Sequence, residues 1–218
     1  MTNVIEMRVR PRTKHDKKKT VSLDGPKFFS EREIKMLRKH SRDKAETGNL
    51  KDVRNWMIID LLTSSGLREF EACSLQIKHL KIGHGHSEIL VENGKGGISG
   101  TTIIPASLKS HLKAFLSWKQ GRGEAIGDDS YLFVGQRGPW TVRAVQESVK
   151  NSLRATGLYE TGKAVHSLRH SFATELYRKT KDLRLVQKQL RHKSISSTTI
   201  YADVTNSEIE ESVKGLWN

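Results

Sequence analysis

The spacing of apolar residues is helical over most of this chain. Ser30 and Glu33 form a capping-box pattern, and Phe29 lies where it can pack on Ile34, so a helix is predicted to start near Glu31. Apolar residues three and four positions apart, with stop signals between them, predict further helices. Their approximate ranges are 52–64, 107–120, 142–155, 167–179, 183–191, 197–203 and 207–215.

Short strand-like segments interrupt the helical pattern near the middle of the chain. Glu88–Glu92 and Thr101–Ile104 flank the glycine-rich turn 93–97, which predicts a hairpin that Pro105 ends. A third short strand is predicted at Tyr131–Val134. The pattern as a whole predicts a mainly α fold (class α+β) with a small antiparallel β-sheet at one side.

Residues 1–27 have a different composition from the rest. They are rich in Lys and Arg, contain Pro11 and Pro26, and have few large apolar side chains, so they cannot bury enough surface to fold alone. Two interpretations stay open: a solvated disordered tail, and a flexible arm that follows a phosphate backbone. In the second, the DNA-binding residues of the arm are Arg8, Arg10, Arg12, Lys17, Lys18 and Lys19.

The net charge points to a polyanionic partner. With 38 Lys and Arg against 24 Asp and Glu, the formal charge of the 218 residues is +14, which favours nucleic acid over an anionic membrane. No apolar run approaches the roughly 20 residues that a spanning helix needs. The single cysteine, Cys73, cannot form an internal disulfide, which suits a reducing cytoplasm.

The segment Val165–Asp203 carries the residues with the most specific chemistry. His166, Arg169, His192 and Tyr201 follow one another there. Two cations, a second imidazole and a phenol suit an enzyme that attacks a phosphodiester with tyrosine, since a phenol with a pKa of about 10 needs help to ionise. Arginines match the charge that develops on the phosphate oxygens, and no metal is required.

This segment resembles the signature of the tyrosine recombinases (the phage integrase family), which reads His-x-x-Arg, then His or Trp, then Tyr. The resemblance implies that Tyr201 is the nucleophile and that Arg169 and His192 contact the scissile phosphate. It makes His166 a proton-transfer and phosphate-contacting residue, and His170 a supporting one. A His166–His170 pair also fits a metal, but no third ligand accompanies it at metal-site spacing, so no metal is expected.

Two earlier segments complete the resemblance. Arg68 lies in a Gly-Leu-Arg-x-x-Glu box, where the family carries its first phosphate-clamping arginine, and Glu71 would buttress that guanidinium. The alternative for Glu71 is an ordinary helix-surface carboxylate. Lys95, between two glycines at the predicted hairpin tip, corresponds to the family's catalytic lysine and would protonate the leaving 5′-hydroxyl; otherwise it is a solubilising residue.

One position departs from the family pattern. Relatives usually carry glycine before the second histidine, whereas this chain has Arg191. If the helix ends there in a left-handed conformation, a residue other than glycine costs about 1 kcal/mol. Either the helix ends differently, or Arg191 offsets the strain by contacting DNA phosphate.

The resemblance covers residues 28–205 as a tyrosine recombinase catalytic domain. Members usually carry a further helical domain ahead of it, so a naturally short enzyme and a piece of a longer integrase both fit. Residues 206–218 are predicted to form a C-terminal amphipathic helix or tail, which packs on its own core or docks on a neighbouring protomer. Its apolar residues are Ile209, Val213, Leu216 and Trp217.

The function implied is site-specific recombination through a 3′-phosphotyrosyl intermediate. The implied partners are double-stranded DNA and other copies of the chain, as a tetramer on two DNA sites, with no membrane partner and no nucleotide or metal cofactor, in a cytoplasmic, nucleoid-associated setting. Two alternatives stay open: a type IB topoisomerase, which uses similar residues to swivel one duplex, and a non-catalytic DNA-binding accessory.

Overall fold

The structure of the protein is a computed structural model that describes residues 27–94, 98–201 and 213–214. The helices of these residues are α1 Glu31–Ala45, α2 Leu50–Ser65, α3 Glu69–Cys73, α4 Ala106–Gly121, α5 Val142–Ala155, α6 Val165–Thr180 and α7 Leu183–Leu190. The strands are β1 Leu80–Lys81, β2 Glu88–Gly94, β3 Ile98–Ile103, β4 Val134–Gly135 and β5 Gly138–Pro139. The predicted helix over 207–215 lies almost entirely outside the described ranges.

Local sequence signals set the first helix as predicted. The Ser30 hydroxyl accepts a hydrogen bond from the backbone N–H of Glu33, and the Glu33 carboxylate accepts one from the backbone N–H of Ser30, so α1 begins at Glu31. Phe29 is buried just before the cap, and Ile34 packs against the same core. This arrangement fixes the direction in which the chain enters the helix.

Helix α2 lies at the centre of the molecule, in contact with α1, α4, α5 and α6. Its residues from Met57 to Ser65 are all buried. The polar side chains among them are satisfied internally: Thr63 and Ser65 donate to carbonyls one turn earlier, and Asp60 accepts from Arg38 and contacts His111. A central helix that is held on every side gives the chain after Ser65 a fixed starting point.

The predicted hairpin is confirmed, and it forms most of a small sheet. Strands β1, β2 and β3 lie in sequence order and are antiparallel, with Glu88 opposite Ile103 and Val91 opposite Gly100. The mainly α fold with a small antiparallel sheet is therefore confirmed as well. The sheet brings the strand that follows residues 95–97 against the C-terminal end of α7.

Two predicted elements are shorter than expected. Of the predicted strand, Tyr131 makes an isolated bridge with Gln76, and Val134 belongs to the two-residue strand β4, which pairs with β5. The helix predicted over 197–203 is replaced by two one-turn 3₁₀-helices, Ile195–Ser197 and Thr199–Tyr201. Ser194 caps the first turn through its hydroxyl, and such side-chain bonds compete with a continuous helix.

In the part of the chain that the structure describes, no helix is both long enough and apolar enough to cross a membrane.

Gly66, which ends α2, offers a test of how tightly the fold is packed before Arg68. It has a φ of 67°, and an added Cβ would lie 2.5 Å from Cδ1 of Phe172 and 2.9 Å from Cδ2 of Leu190. Gly48 has a similar φ of 70° but open space around it. Both Gly→Ala changes incur roughly 1–2 kcal/mol of left-handed strain.

We expect Gly66→Ala to lower the free energy of unfolding by about 1–3 kcal/mol more than Gly48→Ala, because it also overpacks the core. Urea denaturation of the two variants measures the difference. Equal losses would show that Phe172 and Leu190 yield freely and that this turn is not tightly packed.

Candidate active site

The carboxylate of Glu71 gathers three arginines at one place. It lies in the first turn of α3, and its side chain is 1% exposed. Oε1 accepts from Nη1 of Arg68 at 2.9 Å, and Oε2 accepts from the Arg68 backbone N–H at 2.8 Å. Oε2 also accepts from Nη2 of Arg191 at 2.7 Å, and Nη1 of Arg169 lies 3.9 Å from it. Glu71 therefore lies against Arg68 as the resemblance implied, and is not a surface carboxylate.

Arg169 is held by carbonyl groups at two helix ends. Its Nη1 donates to the carbonyl of Gly66 at 2.5 Å, and its Nη2 donates to the carbonyl of Leu190 at 2.7 Å. The carbonyls at helix C-termini carry partial negative charge that suits a cation. Burial, followed by the charge of Arg68, lowers the pKa of Arg169 to about 10, so the guanidinium remains charged at neutral pH.

His192 follows α7 directly, and its environment keeps it neutral. Its Nδ1 lies 3.0 Å from Oγ1 of Thr198. Burial is the main cause that lowers the pKa of His192 to about 4, and the charges of Arg169 and Arg68 lower it further. If the Thr198 hydroxyl donates to Nδ1, the other ring nitrogen carries a proton that it can donate to a phosphate oxygen.

Tyr201 lies inside the same site, in contact with His170. Its side chain is buried, and its hydroxyl lies 2.9 Å from Nδ1 of His170. The ring of His192 is stacked near the Tyr201 ring, with 6.5 Å between the two centroids. Burial raises the pKa of the Tyr201 phenol, although the charges of Arg169 and Arg68 act in the opposite direction. The phenol is therefore protonated at neutral pH in this state.

His170, which was expected to be a supporting residue, lies in direct contact with the Tyr201 hydroxyl. Burial, and then the charges of His166 and Arg169, lower its pKa, so that a neutral imidazole faces the Tyr201 hydroxyl. A neutral ring nitrogen can accept the proton of a phenol. Sequence reasoning did not find this contact, because the two residues are 31 positions apart and no local pattern links them.

His166 and Arg169 share a helix but not an environment. The side chain of His166 is 69% exposed, and its Nε2 lies 3.8 Å from Oε1 of Glu69. Arg169, about one turn further along α6, is buried. The edge of the core therefore lies between His166 and Arg169. His166 thus lies at the rim, where an incoming ligand can reach it. Among the described residues, no group of three or more metal-binding side chains comes together.

The backbone at Arg191 has the left-handed conformation that the sequence raised as a possibility. Helix α7 ends at Leu190, and Arg191 has φ 55° and ψ 45°. The side chain is bound within the protein and is not left free for the expected phosphate contact. The guanidinium points inward to Glu71, and only 6% of the side chain is exposed.

The remaining predicted site residues lie outside the described part of the chain. They are Lys95 at the hairpin tip and the basic residues Arg8, Arg10, Arg12, Lys17, Lys18 and Lys19.

Arginines, neutral imidazoles and a buried tyrosine are thus linked by direct contacts and by their charges. Comparison with known proteins identifies the family, because residues 27–208 match the model of the phage integrase family. The chain belongs to the phage integrase family. In this family, a tyrosine recombinase named XerA from Pyrococcus furiosus is 33% identical over 190 residues, which are 87% of this chain and 61% of the relative.

Other family members give the same result. A tyrosine recombinase named XerH from Helicobacter pylori is 32% identical over 179 residues, 81% of this chain and 48% of the relative. The crystal structure of XerH bound to difH substrate, a pre-cleavage complex, matches with a TM-score of 0.74 at 30% identity, over 91% of this chain and 57% of that one. The fold is thus that of the family's catalytic domain. The chain spans about half to three fifths of the length of these relatives.

The neutral His192 predicts acid sensitivity. The pKa of His192 is about 4 in the folded protein and 6.5 for an ordinary histidine, which stands for the unfolded chain. Between these pH values the unfolded chain binds a proton at His192 and the folded chain does not. The free energy of unfolding should therefore fall as the pH drops from 6.5 towards 4. Urea denaturation across this range should show a weaker decline for His192→Gln. The exposed His84→Gln serves as the control and should decline like the wild type, whereas an undiminished decline in His192→Gln would contradict the assignment.

Proposed function

We propose that this chain is the catalytic part of a site-specific recombinase that cuts and rejoins DNA through Tyr201. The observation that carries the proposal is the 2.9 Å contact between the Tyr201 hydroxyl and a neutral His170, beside the arginines gathered by Glu71. The relatives that match this chain are named as tyrosine recombinases, and XerH has been solved bound to DNA substrate.

The proposed reaction exchanges one phosphoester for another. The Tyr201 oxygen forms a bond to the scissile phosphorus, the bond from phosphorus to the 5′-oxygen breaks, and the product is a 3′-phosphotyrosyl link with a free 5′-hydroxyl. The 5′-hydroxyl of a partner strand reverses the step. Because the ester conserves the bond energy, the proposal needs no nucleotide cofactor and no metal.

Arg68 and Arg169 are proposed to bind the non-bridging oxygens of the phosphate. A guanidinium presents planar donors that match these oxygens, and its charge stabilises the pentacoordinate state. The side chain of Arg68 is 20% exposed and that of Arg169 is 8% exposed, so Arg68 is the more accessible of the two. His192 would add a third donor through Nε2.

The protons are proposed to move through separate residues. His170 accepts the phenol proton as Tyr201 attacks, because its lowered pKa leaves it neutral and its Nδ1 already faces the hydroxyl. The leaving 5′-oxygen takes a proton from Lys95, as the resemblance implies. His166, exposed at the rim of the site, assists with proton transfer and phosphate contact.

The partners are proposed to be double-stranded DNA and further copies of this chain. The net charge of +14 suits a protein that follows a phosphate backbone. Exchange between two duplexes needs a catalytic unit at each cut strand, so we propose a tetramer on two DNA sites. In this proposal residues 1–27 form a DNA-contacting arm, residues 28–205 form the catalytic domain, and residues 206–218 reach a neighbouring copy.

Covalent trapping tests the proposal. In a pool of nicked duplexes with a randomised central sequence, attack near the nick releases a short strand and leaves the protein attached to DNA. We expect the wild type to form this adduct, and Tyr201→Phe to form none while it keeps salt-sensitive binding to the same pool. Tyr159→Phe, an exposed tyrosine, is the control and should react normally.

Two results would contradict the proposal. Salt-sensitive binding with no adduct from the wild type would favour a non-catalytic accessory. An adduct accompanied by relaxation of a supercoiled plasmid, without strand exchange between captured sequences, would favour a topoisomerase.

Two substitutions of His170 separate proton transfer from simple positioning. His170→Phe removes every polar group, whereas His170→Gln keeps a hydrogen bond to Tyr201 but cannot take its proton. We expect both to slow adduct formation by about 10²–10⁴-fold. Because the pKa of Tyr201 is raised, the rate of both variants should climb with pH more steeply than that of the wild type. A near-normal rate in His170→Gln would show that His170 only positions the phenol.

A further inference from the structure

Arg191 combines two features that rarely occur together. It is a non-glycine residue with a positive φ, and its side chain is buried. In the described ranges, the other non-glycine residue with a positive φ is Lys181, which follows α6 and is exposed. A buried cation on a left-handed backbone is kept only where its surroundings over-determine it. The contacts of Arg191 therefore indicate what holds it there.

Those contacts reach two other segments of the site. Nη2 donates to Oε2 of Glu71 at 2.7 Å, and Nη1 donates to the carbonyl of Gln189 at 3.3 Å. The aliphatic stem crosses Gly100 of β3 so closely that an added Cβ there would lie 3.2 Å from Cδ of Arg191. Gly100 pairs with Val91 in the hairpin formed by β2 and β3. A methyl group in place of the Gly100 hydrogen would push the stem aside by a few tenths of an ångström.

We propose that Arg191 is a positioning residue that joins three segments of the active site. Its guanidinium fixes the turn of Arg68 through Glu71, its stem rests on the hairpin at Gly100, and its own backbone leads into His192. The inference rests on the proposed function, because what Arg191 positions is the set of groups proposed to bind the scissile phosphate.

The geometry favours positioning over direct phosphate contact. The side chain of Arg191 is 6% exposed, and its guanidinium is hydrogen-bonded to a carboxylate, that of Glu71. The hydrogen bonds of Arg169, by contrast, go to the uncharged carbonyls of Gly66 and Leu190, which leaves its charge available to a phosphate.

Nη1 of Arg169 lies 3.9 Å from the Glu71 oxygen that Arg191 occupies. Without Arg191, that oxygen keeps its bond to the Arg68 backbone N–H but has room for a second donor, and Nη1 of Arg169 would turn towards it and away from the carbonyl of Gly66. Arg191 thus keeps Arg169 in place by occupying the Glu71 oxygen that would otherwise attract its guanidinium.

The first test substitutes Arg191 and follows covalent capture of the nicked duplex pool. Arg191→Gly suits the left-handed backbone, so the variant is expected to fold, with urea denaturation as the check. Adduct formation should slow by about 10–100-fold, since small misplacements of catalytic groups have effects of this size. DNA affinity should stay unchanged. Arg191→Lys keeps the charge but cannot span both Glu71 and Gln189, so it should rescue the rate only in part.

A second test acts on Arg191 without replacing it. Gly100→Ala should slow adduct formation in the wild-type background, because its methyl group presses on the Arg191 stem. In the Arg191→Gly background the same change should have no further effect. Gly83→Ala is the matched control, because nothing lies within 4 Å of an added Cβ there.

A DNA-independent measurement separates this inference from the proposed function. Burial is the main cause that lowers the pKa of His192, and the charge of Arg191 is a smaller one, so Arg191→Gly should raise this pKa, as followed by nuclear magnetic resonance of the imidazole. If the wild type forms no Tyr201-dependent adduct, the proposed function fails, and this titration still tests the placement of Arg191.

Three results would overturn the positioning role. The first is a wild-type adduct rate in Arg191→Gly. The second is a loss of DNA affinity as large as the loss of rate, which would make Arg191 a direct phosphate ligand. The third is an unchanged pKa of His192 in that variant.

Discussion

The buried carboxylate of Glu71 is the group on which the geometry of the site depends. It contacts Arg68 and Arg191 directly and lies close to Arg169, so that three positive charges surround one negative charge. An isolated carboxylate in such a position would be strongly unfavourable, and the paired donors offset that cost. The arginines outnumber this carboxylate, and the charges of Arg169 and Arg68 also act on Tyr201. In the proposed function, the excess positive charge would bind a phosphodiester, which carries one negative charge.

The same arginines determine the protonation of their neighbours. Burial and nearby cations keep His170 and His192 neutral, while burial keeps the Tyr201 phenol protonated. In this state the phenol therefore keeps its proton, and a neutral imidazole already lies against its hydroxyl. A bound phosphate would add negative charge next to both imidazoles and make it easier for His170 to take a proton. In the proposed reaction, burial and charge would thus couple phosphate binding to proton transfer from Tyr201.

Much of this arrangement could be predicted from the sequence, and the exceptions have physical reasons. The capping box at Ser30 and the glycine-rich hairpin depend on local chemistry, so the pattern predicts them correctly. The contact between His170 and Tyr201 depends on how two 3₁₀ turns fold back onto α6, and no local pattern encodes it. The direction of the Arg191 side chain depends on Gly100, 91 positions away in the chain. The bridge of Tyr131 likewise depends on a partner, Gln76, that lies far away in the sequence.

The central claim is that Tyr201 is the residue that becomes joined to DNA, and peptide mapping tests it most directly. The captured protein–DNA adduct would be digested with nuclease and trypsin, and the modified peptide sequenced by mass spectrometry. We expect a nucleotide attached through its 3′-phosphate to Tyr201, with a free 5′-hydroxyl on the released strand. Attachment at Tyr131, Tyr159 or Tyr177, or through a 5′-phosphate, would contradict it.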